Sequence, residues 1–348
     1  MHRFAIALVA LIALAPAADA RVAFTSAKGM TAKGARILVA NDDGTGIVAL
    51  GVRGSNVRIS PDGTRVAYVA GAIDEGTSLR IRTIDTGAEV VVAAPFGTAS
   101  TGSVEWSPDG TRLLMPTDSA TADGYITGQG LDIVDAATGA VTVLIRPKGN
   151  EVTGYAWSPT GAQFVYAIHR WAGPLFDETL KVANADGTWA RTVGRGTNPQ
   201  WGPTRIAFQR FIKERWRGMT VYHAELWLSD PVAQLTHYDA TGLIYGPWAG
   251  VWAPDGRTLY GGIGGQDYSW PGRFSATTGR FTGYRDAKGH ALQDAYPAAI
   301  SADGATLLMR TGAMLGNEQV QLMPARGGAL RPYIADVSEI SVTPTWQP

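Results

Sequence analysis

Four of the five histidines in this chain, His169, His223, His237 and His290, lie from residue 169 onward, between strand-like runs. An imidazole can ligate a divalent metal or move a proton near neutral pH. These four are therefore the candidate metal ligands, although no spacing motif links them. Around them stand the aromatic residues Trp171, Trp216, Tyr238, Tyr245, Trp248, Tyr268, Trp270 and Tyr296. Charged neighbours are Arg170, Arg215, Asp177, Asp239, Asp267 and Asp294. Aromatic faces mixed with arginine and aspartate suit a sugar, a peptide or a protein loop. The insertion QRFIKERWRGM from Gln209 adds Arg210, Lys213 and Arg217, which would also be at home on a solvated hairpin tip. No cofactor is predicted, and a divalent metal is the one candidate.

Several chemistries are excluded or lack their motif. There is no cysteine, so no disulfide, thiol nucleophile or thiolate-bound zinc exists. Lys+Arg and Asp+Glu are both 30, a zero net charge that argues against a nucleic-acid partner. No G-x-S-x-G elbow, H-E-x-x-H pair or Walker loop occurs. The Asp-Gly stretches lack the full spacing of a calcium loop and read as hairpin turns.

The elements that must position these residues come from a repeat. It reads VRISPDGTRVAYVA from Val57, VEWSPDGTRLLMPT from Val104 and YAWSPTGAQFVYAI from Tyr155. Further copies are PQWGPTRIAFQR from Pro199, GVWAPDGRTLYGGI from Gly250 and AAISADGATLLMRT from Ala298, with a half-copy, PTWQP, at the end. The key position is Pro61, Pro108, Pro159, Pro203, Pro254, Ala302 and Pro348, at gaps of 47, 51, 44, 51, 48 and 46 residues. That period suits one four-stranded propeller blade. Pro fixes φ, Asp caps its own turn and Gly accepts positive φ. The strand that follows is rich in β-formers. The preceding Trp or Ile supplies an apolar body for the seam between blades.

The pattern W-S-P-D-G-x-x-[I/L/V]-x-[F/Y] resembles the TolB-type repeat of the WD-like β-propeller superfamily, over residues 21–348. The resemblance implies an all-β propeller of four-stranded antiparallel blades, and the seven motif positions predict a seven-bladed one; six blades is the alternative. RVAFTS at the start reads as a second strand and SVTPTWQP at the end as a first strand, so both ends would share one closing blade. The α/β domain that precedes the propeller in TolB has no counterpart here. Some seven-bladed propellers are metal-dependent oligosaccharide or polysaccharide lyases, which is the enzymatic alternative. The missing motifs lean against an enzyme and towards a non-catalytic binding or scaffold module.

Residues 1–20, MHRFAIALVALIALAPAADA, have the layout of a signal peptide, with a basic start, an apolar run and an Ala-Asp-Ala end. Cleavage near Ala20 would leave residues 21–348 as a single propeller domain, a monomer in the periplasm or outside the cell, with no membrane span. In such blades the short turns share one face and the longer connections share the other. All four histidines fall on the longer face, where an envelope protein, peptide or glycan would bind.

Overall fold

The computed structural model describes residues 21–26, 31, 34–71, 77–95, 104–120, 126–146, 148–170, 177–238, 246–264, 269–312, 319–334, 337–342 and 346–347. The fold is all-β. The first six strands are β1 (Arg21–Ser26), β2 (Ala35–Asn41), β3 (Val48–Ile59), β4 (Arg65–Ala70), β5 (Ser78–Thr83) and β6 (Glu89–Pro95). Next come β7 (Glu105–Trp106), β8 (Arg112–Ala120), β9 (Ile126–Asp135) and β10 (Val141–Ile145). A third group is β11 (Asn150–Trp157), β12 (Gln163–Arg170), β13 (Thr179–Asn184) and β14 (Ala190–Arg195). The fourth is β15 (Thr197–Trp201), β16 (Ile206–Trp216), β17 (Met219–Leu228) and β18 (Ala233–Gln234). The fifth is β19 (Gly246–Trp252), β20 (Thr258–Gly264), β21 (Ser269–Ser275) and β22 (Phe281–Gly283). The last strands are β23 (Ala295–Ser301), β24 (Thr306–Thr311), β25 (Gln319–Pro324), β26 (Arg331–Ile334), β27 (Val337–Val342) and β28 (Trp346–Gln347).

These strands form six antiparallel sheets, the six blades of the propeller, which corrects the expectation of seven. Four sheets have four strands, the last has five, and the first has seven, in the order β27-β1-β2-β3-β4-β5-β6. The cause is β3, twelve residues long, whose early part pairs with β2 and whose later part pairs with β4. A period in the sequence cannot show that one strand runs unbroken from one repeat into the next. The sheet bends at a bulge between Ser55 and Arg58. Its two halves bury Ala23, Ile37 and Val39 with Val57, Ile59, Val66 and Tyr68. The strand that meets β1 is β27, with Val22 opposite Val342, so it begins earlier than SVTPTWQP. β28 instead pairs with β23, Ser301 opposite Trp346.

The repeated turn is held by its own side chains. Ser107 Oγ donates to Asp109 Oδ1 at 2.6 Å and accepts from the Arg112 N–H at 2.9 Å. The Gly110 N–H, at φ 69°, donates to the Ser107 carbonyl. Ser60 and Ser301 repeat this arrangement. The motif tryptophans then lock successive blades. Trp106, Trp157 and Trp252 Nε1–H donate to the Arg58, Glu105 and Gln200 carbonyls of the preceding unit, each at 3.1 Å. Gly202 stands where any Cβ would lie 2.5 Å from the Trp252 ring. That accounts for the fourth repeat carrying Gly202 where the others carry Ser or Ala.

Candidate binding face and channel wall

The first strands of successive sheets, β7, β11, β15, β19 and β23, neighbour one another and form the inner wall. Four of them share a device. β11, β15, β19 and β23 carry bulges near their starts, at Val152/Gly154, Thr197/Gln200, Ala249/Val251 and Pro297/Ala299. Bulges re-aim side chains and sharpen twist, and they recur beside functional sites. Asn198 and Asp294 sit at positive φ within or just before these stretches, and Asn56 does so at the bulge of β3. A polar belt ties the starts together. Thr197 Oγ1 donates to Thr153 Oγ1 at 2.9 Å, Asn198 to Gln209 Oε1 at 2.7 Å, and Gln209 to the Pro247 carbonyl at 2.9 Å.

On β19 and β23 the aromatic candidates meet. The Trp248 and Tyr296 rings lie 5.6 Å apart, tilted by 33°. Opposed residues of an antiparallel pair share a face of the sheet. Trp248 opposes Gly262, and a Cβ on Gly262 would lie 2.9 Å from the indole, so the glycine lets the ring lie on the strand. Trp270 opposes Ile263, the next residue, and so stands on the other face, 39% exposed. The expected aromatic platform is therefore split between two faces of one blade.

The histidines occupy separate surroundings. His169, at the end of β12, lies 3.1 Å from Glu151 Oε2 on β11, beside the exposed Arg170. His223 is buried on β17, with Nε2 3.4 Å from Glu225 and Nδ1 3.6 Å from Glu214. Glu225, also buried, accepts from the Thr236 hydroxyl and from the Tyr238 N–H. This brings His223 and Tyr238 together. Burial, and then the charge of Glu225, push the Tyr238 hydroxyl up to about 12. His237 is exposed, and His290 is exposed beside Asp286 at 3.3 Å. Among the described residues no three His, Asp or Glu side chains form a group that could hold a metal ion.

Arg215 and Trp216 end a long hairpin, β16–β17, paired from Ala207–Leu228 to Trp216–Met219. Its two-residue turn has Arg217 and Gly218 at positive φ, and the Arg217 guanidinium lies 4.7 Å over the Trp216 ring. Asp294 is at a strand start, and its carbonyl accepts from the Gly312 N–H. Trp171, Asp239, Tyr245, Asp267 and Tyr268, like residues 1–20, lie outside the described residues.

The reading of the sequence missed the other arc of the wall. Arg58 on β3, Glu105 on β7 and Tyr155 on β11 form one electrostatic cluster. Burial pushes the Glu105 carboxyl up to about 8, and Arg58 restrains the rise. Burial, then the Glu105 charge, raise the Tyr155 hydroxyl. The signal was present: Arg58 and Glu105 stand just before the Ile or Trp of the motif, where other repeats carry Ala156, Gln200, Val251 and Ala299. A carboxyl raised in this way holds its proton to higher pH than an ordinary glutamate does.

No helix among the described residues is long and apolar enough to cross a membrane. No family model and no curated protein matches the chain. Among solved structures, TolB from Acinetobacter baumannii is 16% identical, with TM-score 0.47, over 96% of this chain and 68% of its own. The β-propeller domain of the Trilobed protease from Pyrococcus furiosus is 13% identical, with TM-score 0.55, over 80% of this chain and 82% of its own. An oligogalacturonate lyase in complex with manganese is 17% identical, with TM-score 0.58, over 80% of each. At these identities the last two support a shared β-propeller fold and carry no activity to this chain.

Proposed function

We propose that the chain is an exported β-propeller acting as a non-catalytic binding module for a protein, peptide or glycan of the cell envelope. It acts as a monomer, in the periplasm or outside the cell, after cleavage near Ala20. The observation that supports this most is the Trp248–Tyr296 pair, two aromatic faces on neighbouring inner strands. Such rings give sugars and peptide side chains a flat apolar surface at low entropic cost. The metal-dependent lyase alternative has no comparable support among the described residues.

The test uses the secreted chain as bait in envelope extract and on a glycan array, beside Trp248→Ala and Tyr296→Ala. Each variant should lose about tenfold or more in affinity for whatever the parent captures, as buried aromatic anchors do. Undiminished capture by both would sink this reading.

A further inference from the structure

We propose that the β16–β17 hairpin docks tip-first on a bilayer surface rich in anionic phospholipid.

The hairpin outruns its blade. In the blades of β12, β20 and β24 the second strand ends opposite the residue that starts the first. Arg170 stands opposite Asn150, Gly264 opposite Gly246 and Thr311 opposite Ala295. In the fourth blade Thr197 opens the first strand opposite Gln209. From there β16 stays paired with β17 as far as Trp216, opposite Met219. At about 3.3 Å per residue that extension projects roughly 20 Å past the start of β15. It leaves on the side where β19 and β23 begin, near Trp248 and Tyr296.

The tip is basic and apolar together. Lys213, Arg215 and Arg217 stand against the acid Glu214, a net charge of +2 between Lys213 and Thr220 in a chain whose net charge is zero. The three cations are exposed, whereas Glu214 turns to His223, its Oε2 3.6 Å from Nδ1. Met219 is 56% exposed and Tyr222 40%. Alternation along the ladder sends Trp216 and Met219 to one face and Lys213, Arg215 and Tyr222 to the other. The Lys213–Tyr222 pair lies three residues back from the Trp216–Met219 pair, about 10 Å. Cations and apolar groups therefore fit within one headgroup layer, with the apolar ends at the acyl boundary and the charges among the phosphates.

The backbone suits a poorly hydrated setting. Ladder pairing serves the strands, and in the turn Arg215 Nη1 donates to the Gly218 carbonyl at 2.9 Å. Lipid demands such internal pairing. A tip two strands wide, about 5 Å from strand to strand, is narrow for a protein partner, which takes about 800 Å² on each side.

The test is flotation of the full chain with vesicles of phosphatidylcholine alone and of an equal mixture with phosphatidylglycerol. The chain should float with the mixed vesicles and not with the neutral ones, and added salt should weaken the binding. Lys213→Gln, Arg215→Gln and Arg217→Gln should each weaken it about fivefold. Trp216→Ala combined with Met219→Ser should weaken it about tenfold. Trp248→Ala should float as the parent does, which separates this contact from the aromatic pair. Poly-L-glutamate at equal charge should leave the chain on the vesicles. The proposal is overturned if mixed vesicles bind no better than neutral ones. It is also overturned if the triple Gln variant, folded by circular dichroism, floats like the parent. Loss of flotation in Trp248→Ala would move the contact off the hairpin, and release by poly-L-glutamate would assign it to an acidic polypeptide; either result overturns it too.

Discussion

Two arcs of the inner wall are built on one plan and finished differently. In the arc of β3, β7 and β11, the tryptophans Trp106 and Trp157 lock onto the Arg58 and Glu105 carbonyls. In the arc of β15, β19 and β23, Trp252 does the same to Gln200. The lock uses a backbone carbonyl, so it is indifferent to the side chain on that residue. One arc uses that freedom to place a charge cluster there, the half-buried Arg58 and Glu105 beside the buried Tyr155. The other carries Gln200, Val251 and Ala299 there and shows an aromatic pair nearer the strand starts. A repeat fold can thus hold its geometry constant while exchanging the chemistry of its channel.

Removing the lock should have the largest effect. Trp157 is 7% exposed and stands edge-on to Phe164 at 5.7 Å. Trp157→Ala should cost about 3–5 kcal/mol, read by urea denaturation. A loss as small as that of a surface substitution would break the shared plan.

The charged arc should make stability depend on pH. Glu105 has its folded-state pKa raised to about 8, so the folded chain holds a proton that the unfolded chain releases. Its contribution is fully present below the unfolded pKa, near 4.5, and is lost as pH rises towards about 8. Stability should fall over that window by on the order of 2 kcal/mol relative to Glu105→Gln, whose profile should be flatter. Matching profiles for parent and variant would remove the distinction between the arcs. Arg58→Met should push the Glu105 carboxyl higher still, seen by NMR titration of its side-chain carbon.

In the aromatic arc, Gly262→Ala places a methyl against Trp248 and the Trp270 carbonyl. It should cost about 1–3 kcal/mol and disturb the Trp248–Tyr296 pair, seen in near-UV circular dichroism. At the turns, Ser107→Ala removes two hydrogen bonds and should cost about 1 kcal/mol. His290→Ala, at an exposed loop, should change the melting curve least, by less than about 0.5 kcal/mol.

The all-β propeller, its repeat period and the hairpin at Arg217-Gly218 were legible because each is a local event: a turn needs its own Ser, Asp and Gly, and a strand its own β-formers. The apolar role of Trp157 and Trp252 was legible for the same reason, and the structure added their hydrogen bonds. Which sheet a strand joins is a non-local choice. β3 could be read as two strands until its pairing on both sides was seen, and that is why seven blades became six. The site divides along the same line. His169, His223, Trp248 and Tyr296 could be named from residue type, but their partners Glu151, Glu225 and each other lie on other strands. Glu105 looks like an ordinary acid in the sequence, and only its surroundings raise its pKa, because solvation is set by every element that surrounds a group. The sequence by itself determined the repeating unit and its turns. The tertiary structure decided how many sheets those units make, which face Trp248 and Trp270 each occupy, and which acid has its pKa raised.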